Sequence, residues 1–138
     1  MASEMQAFNE KIIAEFRANE GRVEMFADYP MIILHTIGRK SGNTILVPLV
    51  LTYRNDEMLL FASFAGSKED PLWAHNLRAN PKIEVEVGTE KFTVVVEELA
   101  PDEAAAERDI TAAESEVFAG YVSSAAPRII PVFRLNRQ

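Results

Sequence analysis

Gly38-Arg39-Lys40-Ser41-Gly42 is the stretch of this chain best suited to chemistry. Two adjacent cations and a hydroxyl stand between two glycines. Glycine lets a turn reach positive φ, so successive backbone N–H groups can point at one spot. Full charges on Arg39 and Lys40 beside such donors would hold a phosphate. A solvated hairpin tip carries the same residue types, so the pentapeptide alone leaves both readings open. Elsewhere no standard catalytic set is evident. His35 and His75 belong to no paired motif and read as structural. Ser3, Ser41, Ser63, Ser67, Ser123 and Ser124 lack the context of a nucleophile elbow. The chain has no Cys, which excludes disulfides, a thiol nucleophile and Cys-ligated metal, and no metal site is expected. If the chain is an enzyme, a bound cofactor should supply its reactivity.

The elements around the turn follow from pattern. The apolar run Met31–Ile37 precedes it and Ile45–Tyr53 follows, which predicts two strands joined by a hairpin. Pro48 cannot donate to a ladder, so it implies an edge strand or a bulge. Arg54 to Glu57 reads as a turn and Met58–Ser63 as a third strand, giving an antiparallel meander. Asp70-Pro71 has the form of an N-cap and first residue of a short helix, with Trp73 and Leu77 on one face and a stop at Asn80-Pro81. Ile83, Val85 and Val87 alternate with acids, as a half-buried strand should. Another strand is expected over Phe92–Glu98. An acidic helix begins near Pro101, with Ala106, Ile110, Ala113 and Val117 as its buried face and Gly120 as its end. Ile129–Leu135 is a last strand, interrupted by Pro131. At the other end, Ser3 and Gln6 suggest a capping box, and Met5, Phe8, Ile12 and Phe16 form the apolar stripe of a helix over about 4–20.

The reading is one domain over 1–138, mainly β with α: about six mostly antiparallel strands, closed into a small barrel over about 30–136, with three peripheral helices. At 138 residues, 48% apolar and 25% charged, the composition is that of an ordinary globular domain. The formal charge is −7, and the segment from Asp102 to Glu116 carries most of it. A nucleic-acid partner is not expected, because a phosphate backbone needs a broad basic surface. A small anion at one cationic turn is still allowed. Neither a membrane span nor a signal peptide is evident, which fits a cytoplasmic location.

Several blocks, in order, resemble the deazaflavin (coenzyme F-420)-dependent nitroreductase family. They are Leu34-His35-Thr36-Ile37-Gly38-Arg39-Lys40-Ser41-Gly42, Val47-Pro48-Leu49, Ala62-Ser63, the run from Asp70 to Pro81, Val85-Glu86-Val87-Gly88, and Ile130-Pro131-Val132-Phe133. The resemblance implies a split β-barrel. It implies that Arg39, Lys40 and Ser41 bind the phosphate of the cofactor tail, and that Val47, Pro48 and Leu49 line the deazaflavin ring. Ser63 would sit at the ring edge, with Trp73 and Asn76 on the helix that closes the groove. Tyr121 would orient the acceptor or deliver a proton; an ordinary half-buried tyrosine is the other reading.

Two departures stand out. Ile45 and Phe64 occupy positions where many relatives carry Arg and Lys, and Lys68 is the nearby cation that would replace one of them. Val50 stands where nitroimidazole-reducing members have Tyr, so nitroimidazole activation is not expected. The implied activity is hydride transfer from reduced coenzyme F-420 to a small electron-poor acceptor, a quinone or an α,β-unsaturated carbonyl. A backbone N–H or Tyr121 would steady the oxyanion that develops. The competing readings are a non-catalytic deazaflavin carrier and a split-barrel oxidoreductase using FMN. Relatives include monomers and homodimers, so a homodimer is also open.

Overall fold

The computed structural model describes residues 4–138, so Ser3, the first residue of the expected capping box, lies outside the described residues. Seven strands form one sheet: β1 (Met31–Ile37), β2 (Thr44–Val50), β3 (Thr52–Arg54), β4 (Glu57–Phe61), β5 (Lys82–Val87), β6 (Glu90–Glu98) and β7 (Val132–Arg137). Four α-helices accompany it: α1 (Glu4–Ala18), α2 (Leu72–Ala79), α3 (Pro101–Glu114) and α4 (Glu116–Ala125). The strand order is β2-β1-β5-β6-β7-β4-β3, and each strand pair is antiparallel.

This order corrects the expected meander. The apolar run after the glycine turn is two strands, not one. It breaks at Leu51, which is 1% exposed and donates its N–H to Pro30 O at 2.9 Å. Val50 and Thr52 can lie no more than about 7 Å apart, yet β2 and β3 are the first and last strands of the sheet. The sheet must therefore curl until its edges meet at Leu51. No ladder joins β2 to β3 among the described residues, and that gap is the split in the barrel.

The inner faces of the strands and one side of α2 make a single core. Ile32, Leu34, Leu60, Val85, Val94 and Phe133 point inward to meet Trp73, Ala74 and Leu77. The other face of β1 is covered by α1. Met31 and Ile33 pack on Ile12, Ile13, Phe16 and Val23. Burial on both faces explains why Met31–Leu34 is continuously apolar rather than alternating. Only half of the α1 stripe is used, since Met5 and Phe8 remain 56% and 43% exposed.

Of the two positions expected for Pro48, the edge strand is the one found, whereas two expectations for the acidic helix give way to side-chain chemistry. Pro48 makes no bulge: β1 and β2 pair without a skip from Met31↔Val50 to Ile37↔Thr44, and Pro48 sits on the edge strand, where a missing N–H costs nothing. Helix α3 is turned away from its apolar stripe, leaving Ala106, Ile110 and Ala113 exposed, and Val117, which falls in α4, is exposed as well. The rotation of α3 is set by polar partners instead. Arg54 donates to Thr111 Oγ1 at 2.7 Å and lies beside Glu107 and Glu114, while Arg134 pairs with Glu103. Gly120 does not end the helix but lies inside α4. The break falls at Ser115, whose hydroxyl accepts the Phe118 N–H and caps the new helix.

An ion-pair cluster fastens α1 to the barrel. Arg17 is bidentate on Glu86 of β5, at 3.1 and 2.7 Å, and His35 Nε2 lies 2.6 Å from the same carboxylate. The Arg17 hydrogen bonds are the main cause that holds Glu86 at about 2, below its ordinary 4.5; burial opposes them and His35 adds to them. A carboxylate depressed in this way contributes stability above its unfolded value, and that contribution is lost as pH falls through the folded value. The stability difference between the protein and its Glu86→Gln variant, measured by urea unfolding, should therefore shrink as pH is lowered from about 4.5 toward 2. A difference that stays constant over that window would contradict the assignment.

Candidate active site

The turn 38–42 is built as a loop with an inward-facing anchor. Gly38 N–H donates to Asn43 O and Gly42 N–H to Gly38 O, both at 2.8 Å, and Gly42 takes φ 74°. Ser41 Oγ accepts the Asn43 N–H at 3.1 Å. A Cβ at residue 38 would lie 2.5 Å from Ser41 Oγ, so a side chain there would displace the Ser41 hydroxyl from its bond to Asn43. Asn76 of α2, 7% exposed, accepts the Arg39 N–H on its side-chain oxygen at 3.0 Å. The side chains of Arg39 and Lys40 are thereby left at the surface, and neither forms an ion pair among the described residues. Two uncompensated cations on a pinned backbone are suited to a phosphate.

A second group assembles at the end of β4. Ser63 is helical (φ −69°, ψ −35°), and Phe64, Ala65 and Gly66 follow at φ 47°, 51° and 79°. Two consecutive non-glycine residues in the left-handed region carry strain of about 1–3 kcal/mol each and mark a segment held by its surroundings. The holding is visible. Arg128, with a side chain 10% exposed, donates to the carbonyls of Ala62 (3.0 Å), Ser63 (2.8 Å) and Ser67 (2.9 Å), and to Asp70 Oδ1 (2.8 Å). Helix α4 closes the other side, where Ser124 Oγ donates to Gly66 O at 3.0 Å. Tyr121 lies on the same helix, packed with Phe61 and Phe118.

The structure thus brings Ser63 and Tyr121 to one turn, and Arg39, Lys40, Ser41 and Asn76 to another. Helix α2 links the two groups. Its approach, at Asp70, is tied to Arg128, and Asn76, just over one helical turn into α2, holds the cationic turn. Asp70 is not the N-cap expected from the sequence: Pro71 occupies that position, and the Asp70 carboxylate is taken by Arg128 and Arg78. Trp73 is a core residue against Phe133, with ring centroids 5.9 Å apart. Val47 and Leu49 pack toward the barrel core, whereas Pro48 alternates to the face of Leu46, beside α1. The three side chains therefore do not share one surface. Arg128 escaped the sequence reading. Its signal was there, as the lone charge between Val117 and Phe133.

A cleft of about 990 Å³ lies on the outer side of α2, between Leu72, His75, Arg108 and Ile130. It shares Arg39 with the cationic turn but takes in neither Ser63 nor Tyr121. Its other cations are already engaged: Arg78 by Glu98 and Asp70, Arg128 by Asp70, and Arg108 by the carbonyl of Ile130. Arg39 lines both the cleft and the turn, so the cleft adjoins the cationic turn.

A family model described as F420H(2)-dependent quinone reductase matches residues 9–136. The chain belongs to this family. A Mycobacterium tuberculosis F420H(2)-dependent quinone reductase is 33% identical over 90 residues, which is 64% of this chain and 60% of that protein. The chain thus matches less than two thirds of the length of that curated relative. Among solved structures, an F420-H2 dependent reductase superposes with a TM-score of 0.66 at 29% identity, covering 78% of this chain and 94% of that one. A domain-swapped dimer superposes with a TM-score of 0.68 at 26% identity, covering 97% and 100%. The split-barrel fold expected from the resemblance is the fold of this family member. At its two departures, Ile45 and Phe64 are 45% and 40% exposed, so apolar groups stand at the surface there. The exposed ammonium of Lys68 donates to the carbonyl of Ala126 and forms no ion pair among the described residues.

Gly66 should be intolerant of substitution. A Cβ there would lie 2.8 Å from Ser124 Cβ and 3.2 Å from the Tyr121 backbone, on a residue already at positive φ. Gly66→Ala is expected to lower unfolding stability by about 1–3 kcal/mol. Urea unfolding checks this, and an unchanged midpoint would mean that the turn and α4 are not in firm contact.

Proposed function

We propose that this protein catalyses hydride transfer from reduced coenzyme F-420 to a small electron-poor acceptor, a quinone or an α,β-unsaturated carbonyl compound. The observation that carries the reading is the pinned turn with its unpaired cations Arg39 and Lys40, in a member of this family. The residues fit a phosphate-bearing cofactor. Two free cations, the Ser41 hydroxyl and a backbone fixed by buried Asn76 make a donor set with no acceptor of its own. Bound there, a reduced deazaflavin supplies a hydride and disfavours single-electron chemistry.

The protein's part is binding, orientation and charge placement. Arg39, Lys40 and Ser41 hold the tail of the cofactor, and helix α2 sets their distance from the Ser63 turn. Ser63 and the β2 residues Val47 and Leu49 lie at the ring in this reading, whereas Pro48, on the other face of β2, does not. Trp73 supports the groove from the core. Tyr121 orients the acceptor and returns a proton to it. Holding two reactants in reacting geometry can supply several kcal/mol of the acceleration. Self-association belongs to the same proposal: Met5 and Phe8, exposed on α1, offer an apolar surface for a second copy, and sedimentation of a Phe8→Glu variant should shift toward monomer if they are used.

Titration with oxidised coenzyme F-420, followed by its fluorescence, tests the site. Saturable binding is expected, weakened by about 1–3 kcal/mol of binding free energy in an Arg39→Ala, Lys40→Ala variant, as for loss of charge-assisted hydrogen bonds. Equal binding by the variant, or a preference for FMN, would refute the assignment.

A further inference from the structure

We propose that Arg128 is a positioning residue for acceptor reduction: it holds the left-handed turn at Ser63–Gly66 in the one conformation in which its backbone N–H groups receive the acceptor's developing oxyanion. The inference rests on the function proposed above and adds to it the group that stabilises the negative charge.

The geometry begins with the backbone. A right-handed residue followed by a left-handed one turns successive N–H groups toward a common point, which suits a negative oxygen. Ser63 and Phe64 form that pair, and the N–H of Ala65, itself left-handed, follows it. All but one of the carbonyls from Ala62 to Ser67 are engaged: those of Ala62, Ser63 and Ser67 by Arg128, that of Gly66 by Ser124, and that of Phe64 by the Ser67 N–H at 3.0 Å, which leaves Ala65. The N–H groups of Ser63, Phe64 and Ala65 meet no acceptor among the described residues. The segment is therefore held mainly through its carbonyls and is open on its donor side. It is also accessible, with Ser63 half-buried and Phe64 and Ala65 exposed.

Arg128 is what makes this arrangement rigid. Its planar fork spans three carbonyls and a carboxylate, an arrangement a lysine cannot reproduce. Asp70 is fixed in turn by Arg78, which Glu98 holds at 2.8 Å. The reaction needs such a donor site. A hydride adds two electrons and a C–H bond at the β carbon of an unsaturated carbonyl, the C=C π pair moves to make an enolate, and the negative charge settles on oxygen. A proton then completes the reduced product while the deazaflavin donor is left oxidised by two electrons. A quinone passes in the same way to a hydroquinone monoanion. Donors aimed at that oxygen before the reaction lower the barrier without reorganising. In the function proposed above the proton comes from Tyr121, whose helix packs against the turn.

The test compares Arg128→Lys and Arg128→Ala with the unchanged protein. With reduced coenzyme F-420 and menadione, kcat should fall by about tenfold or more, toward the ~10²-fold of losing one oxyanion donor. KM for menadione and deazaflavin affinity should hold, and guanidinium ion should restore part of the Arg128→Ala loss. The second readout is amide NMR with an ionised hydroxynaphthoquinone, with and without oxidised deazaflavin. The Ser63, Phe64 and Ala65 amide protons should move downfield, and the shifts should vanish in Arg128→Lys. Unmoved amides, an unchanged kcat, or a joint collapse of kcat, KM, deazaflavin affinity and melting temperature would overturn the proposal. Absence of deazaflavin binding while the three amides still respond would overturn the cofactor reading alone.

Discussion

One residue governs the architecture. Leu51 is all that separates β2 from β3, and these are the two outermost strands of the sheet. A flat seven-stranded sheet would hold its edges roughly 29 Å apart at the usual strand spacing. A single buried residue cannot bridge that distance, so the sheet must curl. Once it curls, its inner face needs a plug, and α2 supplies Trp73, Ala74 and Leu77. The helix that fills the barrel is thus the helix that presents Asn76 to the cationic turn. Fold closure and site placement are consequences of the same constraint.

Arginine side chains do much of the remaining positioning. Arg128 ties the Ser63 turn to the start of α2, Arg78 extends that tie to β6 through Glu98, and Arg17 fastens α1 through Glu86. Arg54 and Arg134 set the rotation of α3. Long-range ion pairs of this kind join elements that apolar packing alone would leave free to rotate. Half-buried pairs are not a large source of stability, because desolvation offsets attraction. Their value here is geometric: each fixes one orientation among several of similar burial.

That division of labour explains what the sequence disclosed. β1 matches its expected bounds, because a seven-residue apolar run beside a glycine turn has few alternatives. The extent of α2 was legible from Pro71 and Asn80, and the family from ordered blocks around Gly38, Pro48 and the 70–81 segment. The split of the second run at Leu51 was hidden, since Val50, Leu51 and Thr52 all favour strand and nothing local marks a change of partner. The rotation of α3 was hidden too. Ala106, Ile110, Ala113 and Val117 form a plausible apolar stripe, but the helix follows Arg54, which lies about 50 residues earlier in the chain. The cationic turn was legible as residue types. Its anchoring by Asn76 and the clamp by Arg128 are long-range contacts that no local pattern encodes.

The central claim is that this barrel moves hydride from a reduced deazaflavin to a carbon acceptor. The most direct measurement mixes the protein anaerobically with reduced coenzyme F-420 and excess menadione and follows the return of oxidised-cofactor absorbance. Repeated turnover, proportional to protein concentration and well above the protein-free rate, is the expected result. A rate equal to the protein-free control would contradict the account, and so would turnover that appears only with reduced FMN.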